Sequence, residues 1–102
     1  MKILGWDLEC SNLSADFGII LCCGFKEVGS GRPSVLNILD YVDRSKDLIK
    51  AEKRLLRDVS TRLLDADVWL GHFACYYDIP FLNTRLVYHH LPVLPPNFPL
   101  ID

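Results

Sequence analysis

The sequence predicts an α/β fold built on a mixed five-stranded sheet of order 3-2-1-4-5, and three observations predict it. Three short apolar segments come first, separated by polar or Gly- and Pro-containing connections, as in an antiparallel meander. A long stretch with helical spacing follows, then a three-residue apolar run, a second helical stretch and a last apolar pair. Right-handed crossovers through the two helical stretches make the late strands parallel to one another. With 102 residues the chain is expected to form a single domain, residues 1–102, with helices packed on the faces of the sheet.

The first strand is read over Ile3 to Glu9. Side chains alternate along a strand, so Ile3, Gly5, Asp7 and Glu9 share one face while Leu4, Trp6 and Leu8 share the other. Cys10 to Gly18 is a polar connection, and Ile19 to Phe25 is an unbroken apolar run, the pattern of a strand covered on both faces. Val28 to Pro33 supplies turn residues, and Val35 to Leu39 reads as a third strand near an edge. Ser45 then reads as the N-cap of a helix with an apolar stripe of Leu48 or Ile49, Leu55, Leu56, Val59, Leu63 and Leu64. The opposite side carries Lys46, Lys50, Lys53 and Arg57, a basic stripe that either tracks a phosphate backbone or is simply solvated.

Val68 to Leu70 is read as a buried fourth strand and Gly71 to Tyr77 as a loop. Pro80 suits the first turn of a second helix, with Phe81, Leu82, Leu86 and Val87 as its stripe and His89 and His90 near its C-terminal end. Leu91 to Pro99 holds four prolines and must connect, and Leu100-Ile101-Asp102 opens a fifth strand.

Composition narrows the function. A content of 50% hydrophobic and 24% charged residues is that of an ordinary soluble domain. No run of 18 apolar residues and no signal-peptide layout is visible, so an intracellular protein is expected. The formal charge of -2 gives no general attraction to nucleic acid, so such binding would rest on local patches or bound metal. Cys10, Cys22, Cys23 and Cys75 form no C-x-x-C pair and are expected as reduced core thiols.

The chemistry gathers around two acids. Asp7 and Glu9 lie on one face of an apolar strand, roughly 7 Å apart along it. Burying both without a cation costs hydration and adds repulsion, which a divalent metal removes. Oxygen ligands with no His or Cys beside them suit Mg²⁺ or Mn²⁺. The plainer alternative is an edge strand whose acids face water. Asp78, at the start of the second helix, joins the same acidic cluster or serves as an N-cap, and the two roles are compatible.

These residues resemble a family, the DEDD 3′-5′ exonucleases of the ribonuclease H-like superfamily, which includes the proofreading domains of DNA polymerases. Asp7-Leu8-Glu9-Cys10-Ser11-Asn12-Leu13 is similar to the first exonuclease motif, D-x-E-T-x-G-L, with Asn12 at the Gly position. Phe73 to Leu82 is similar to the second motif as found in family B polymerases, N-x-x-x-F-D-x-P-F-L. Asp78 takes its acid position, Tyr77 its Phe, Phe73 replaces its Asn, and Arg85 stands where an Arg often follows.

The resemblance implies a ribonuclease H-like fold and a 3′-5′ exonuclease acting on single-stranded DNA or RNA at its 3′ end. It implies two Mg²⁺ or Mn²⁺ ions per complete site, with Asp7, Glu9 and Asp78 as metal-binding and catalytic residues. Leu13 would wedge against the terminal base, and Phe73, Tyr76 and Tyr77 would stack on unpaired bases. It further implies that the chain stops before the third motif and its fourth acid, Asp102 not being that acid, so that a downstream domain or polymerase would complete it. The competing reading is a non-catalytic module of the same fold that binds nucleic acid or a protein partner.

Overall fold

Strand β1 (Ile3–Cys10) occupies the middle of a five-stranded sheet, its backbone paired on both edges and its apolar side chains Leu4, Trp6 and Leu8 buried on one face. The computed structural model describes all 102 residues. Strands β2 (Ile20–Glu27) and β3 (Ser34–Asn37) follow as an antiparallel meander, and β4 (Val68–Leu70) and β5 (Leu100–Ile101) complete the order β3-β2-β1-β4-β5. The strands β1, β4 and β5 are parallel, and β2 runs against β1 and β3. Strand order and direction are those that the sequence predicts. The third strand ends earlier than expected, because Asn37 accepts from the amide of Leu39 and starts a 3-10 turn over Ile38–Tyr41.

Helix α1 (Leu48–Leu64) joins β3 to β4 and helix α2 (Asp78–Tyr88) joins β4 to β5. Asp47, not Ser45, caps α1, accepting from the amides of Ile49 and Lys50, while Ser45 bonds Asp43 in the preceding turn. Its buried stripe is Ala51, Glu52, Leu55, Leu56, Val59 and Leu63, whereas Leu48, Ile49 and Leu64 lie at the exposed margins. Helix α2 buries Phe81, Leu82, Arg85 and Leu86, and the expected Val87 is exposed.

Both helices pack on one face of the sheet. Leu4, Trp6, Leu8, Ile20, Cys23, Phe25 and Trp69 form a single core cluster with the buried stripes of α1 and α2. The physical reason is topological: the β3-to-β4 and β4-to-β5 crossovers travel the same way across the sheet, and crossovers of one hand then lie on one side. Trp69 anchors the core, donating its indole N–H to the Leu63 carbonyl at 2.9 Å with Phe98 stacked on its ring at 4.0 Å.

The opposite face of the sheet is open. Asp7, Glu9, Val35, Leu70 and Ile101 are all exposed there. Strand β2 is therefore covered on one side only, with Leu21, Cys22 and Gly24 half-exposed, contrary to the reading of its apolar run. A break in register between Glu9 and Cys10 turns both Ile20 and Cys23 toward the core. Cys23 alone is a core thiol; Cys10 and Cys22 are half-buried and Cys75 is exposed. No helix is long and apolar enough to cross a membrane.

Candidate metal and nucleic-acid site

Asp7 and Glu9 project from the open face near the C-terminal end of β1, opposite Gly24 and Cys22 of β2. A Cβ placed on Gly24 would meet no atom within 4 Å, so the space in front of Asp7 is clear. Asp78 approaches from the other side as the first residue of α2. It is not the N-cap: that position is Tyr77, whose side chain makes no capping bond. Asp78 is 3% exposed, and its Oδ2 is buried with no hydrogen-bond partner.

An unpartnered buried carboxylate oxygen is costly, and its surroundings raise the cost. Burial first, and then the negative charges of Asp7, Asp102 and Glu9, push the Asp78 carboxyl up to about 6. A hydrogen bond shared with Asp7 contributes as well, so these two carboxyls lie within reach of one proton. The same negative field acts on the thiols nearby. Burial, Asp78 and Glu9 push Cys10 up to about 12, and burial with Glu9 and Asp7 raises Cys22. Both therefore stay protonated near neutral pH and are poor ligands for a soft metal.

The structure thus brings Asp7 and Asp78 together, with Glu9 near enough to act on Asp78 through its charge. No three His, Cys, Asp or Glu side chains are gathered so as to hold an ion among them. The donor set fits a hard divalent cation: two carboxylates in reach of each other, one with an unpartnered oxygen, and a third acid on the same open face. Asp102 is otherwise engaged. It accepts from the amides of Ala74 and Cys75 and from the Cys75 thiol, and these bonds hold its carboxyl below the usual range.

Beside Asp78 a pocket of about 220 Å³ opens between the β1–β2 loop and α2, lined by Leu13, Ala15, Tyr76, Tyr77, Pro80 and Phe81 among others. Leu13 and Tyr76 are 86% and 81% exposed, an apolar and an aromatic side chain held in water without a packing partner. Phe73 is not part of this pocket; it faces His72, Tyr76 and Asp102 instead. Asn12 has no positive φ, and its side chain accepts from the amide of Ser14. The loop closes tightly at Gly18, where a Cβ would lie 2.8 Å from that of Asn12.

What holds the loop escaped the sequence reading. Glu52 of α1, fully buried, accepts from the Ile20 amide at 2.7 Å and from Arg85 of α2 at 2.6 Å, and its Oε1 lies 2.7 Å from His89 Nε2. Arg85 also donates to the Ala15 carbonyl and stacks over the Tyr88 ring. The signal was present: Glu52 and Arg85 both fall on the apolar stripes of their helices, where a lone charge needs a partner.

No protein-family model and no curated protein sequence matches the chain. Solved structures do. The family B DNA polymerase of the hyperthermophilic archaeon Pyrobaculum calidifontis shares the fold at a TM-score of 0.67 and 20% identity, over 91% of this chain and 12% of that one. The zinc-bound complex of E. coli ExoI with single-stranded DNA shares it at a TM-score of 0.70 and 10% identity, over 99% of this chain and 27% of that one. The mixed five-stranded sheet of order β3-β2-β1-β4-β5 with its two helices is thus a fold that this chain shares with these two structures. The chain spans only about an eighth and about a quarter of their respective lengths.

Proposed function

We propose that this chain carries the metal site of a DEDD-type 3′-5′ exonuclease that acts on single-stranded DNA or RNA. The observation that carries the proposal is Asp78: a buried carboxylate with an unpartnered oxygen, facing acids and not serving as a helix cap. Nothing in the packing of α2 requires that acid, whereas a divalent cation would satisfy it.

In this reading Asp7 and Asp78, with Glu9 beside them, hold Mg²⁺ or Mn²⁺. When bound, the ions supply activation of water and stabilisation of the leaving 3′ oxygen. Leu13, Tyr76 and Tyr77 receive the terminal bases in the pocket beside Asp78, the aromatic rings by stacking and Leu13 as a wedge. Phe73, turned toward His72 and Asp102, would contact a more distant nucleotide.

The protein is expected to shorten 3′-labelled single-stranded oligonucleotides in Mn²⁺ or Mg²⁺. Asp7→Asn should abolish this more completely than Asp78→Asn, since a residue shared by two ions affects both nucleophile and leaving group. Cleavage that survives Asp7→Asn or excess EDTA contradicts the proposal. The second reading, a non-catalytic binding module, is favoured by the lack of a gathered three-ligand cluster. Metal-independent binding of the oligonucleotide with no cleavage would establish it instead.

A further inference from the structure

The exposed face of α1 carries a feature that the acid site does not use. Lys46 leads into the helix, and Lys50, Lys53 and Arg57 continue along one side of it at three- and four-residue spacing. None of the four takes part in a salt bridge, in a chain whose net charge is -2. The acids nearest in sequence are engaged elsewhere: Asp58 accepts from Tyr41, Asp43 pairs with Arg54, and Asp47 caps the helix. Unneutralised like charges at this spacing repel one another, so the stripe favours an anionic partner.

The stripe runs into a pocket. Arg57 is also one wall of a cavity of about 230 Å³, with Ser60, Thr61 and Leu64 of α1 on one side and Leu91, Pro92, Val93 and Leu94 on the other. The walls are largely aliphatic, and Leu64 and Val93 remain 53% and 52% exposed. Ser60 Oγ is buried there with no hydrogen-bond partner, whereas the neighbouring Thr61 hydroxyl bonds back to the Arg57 carbonyl. A cavity of this size is small for a cofactor but suits a side-chain anchor, and the Ser60 hydroxyl is free to bond the backbone beside that anchor.

We propose that this face binds an acidic peptide segment of a protein partner, its carboxylates along Lys50, Lys53 and Arg57 and a leucine or isoleucine side chain in the pocket beside Ser60. Charge and wall chemistry together select this occupant. A single-stranded nucleic acid would satisfy the stripe but not the cavity, because bases anchor by stacking on aromatic rings and no aromatic ring lines these walls. The dimensions agree. Lys50 to Leu64 spans about 21 Å along the helix, which an extended segment covers in about six residues. The surface shares no residue with the acid cluster or its adjoining pocket, so it stands apart from the proposed nuclease activity.

Fluorescence anisotropy on the whole chain tests the proposal with a labelled peptide of four alternating Asp and Glu residues next to Leu-Leu, made in both orders. One order should bind at least tenfold more tightly than its counterpart with Ser in place of both Leu. Charge reversal by Lys50→Glu, Lys53→Glu and Arg57→Glu together, and separately Leu64→Asp, should each weaken binding at least tenfold. Lys50, Arg57 and Leu64 are exposed and Lys53 is half-buried, and thermal melting reports whether each variant is folded. Should either fail to fold, the Leu and Ser peptides compared on the native chain still decide. Equal binding of the two peptides, or none, overturns the proposal. Binding of an oligothymidylate of equal charge, lost on charge reversal while the Leu peptide stays free, also overturns it and assigns the stripe to phosphate.

Discussion

Asp78 is 3% exposed and titrates at about 6, against 3.8 for an unperturbed aspartate. Its folded pKa lies above its unfolded one, so the native state binds the extra proton and loses stability as pH rises between these values. Once ionised, the group costs the fold on the order of 3 kcal/mol. Without metal, Asp78→Asn should therefore raise the urea midpoint above pH 6 and leave it unchanged below pH 4. A variant less stable than the native chain at pH 7 would mean that Asp78 has a structural partner after all. Phe73 offers a second test at this scale. Its φ of 54° places a bulky aromatic in the left-handed region, where Asn is far more at ease. Phe73→Asn should add about 1 kcal/mol, measured by the same urea titration; a loss of stability would show that the exposed ring has a packing role.

Helix pairing is set by one buried ion network. Glu52 ties α1 to Arg85 and His89 of α2 and to the amide of Ile20, while Arg85 reaches the Ala15 carbonyl. Glu52→Leu would leave the 5% exposed Arg85 without its counter-charge, and a loss of about 3 to 5 kcal/mol is expected. Hydrogen exchange should then quicken first in residues 11 to 20, whose anchor is removed. Uniform acceleration across the chain would show that the network only supports global stability. Much at this scale was legible: the spacing of Leu55, Leu56, Val59 and Leu63 marks α1, and Val68–Leu70 is the fourth strand. The network was not legible as a whole, because the pairing of Glu52 with Arg85, 33 positions away, depends on how two helices meet. The cap of α2 misled for a local reason. Asp78 is an excellent capping residue type, and only the backbone shows that it lies one residue inside the helix.

Across the whole molecule, one face of the sheet carries the core and the other carries the acids. Asp7 and Glu9 lie toward the C-terminal end of β1, and α2 begins with Asp78 just beyond β4, which runs parallel to β1. Ligands of α/β sheets commonly bind at that edge. The acids Asp7, Glu9 and Asp78 stand out in local sequence, and the meander with two crossovers is what brings Asp7 and Asp78 near one another. The central claim, that these acids form a cation site, is tested most directly by calorimetric titration of Mn²⁺ into the native chain, Asp7→Asn and Asp78→Asn at pH 7. The native chain should give a binding heat, and repeating the titration near pH 5.5, where Asp78 is still largely protonated, should add release of protons, because Asp78 must ionise to bind. Both variants should lose it. Equal heats from all three proteins would contradict the claim.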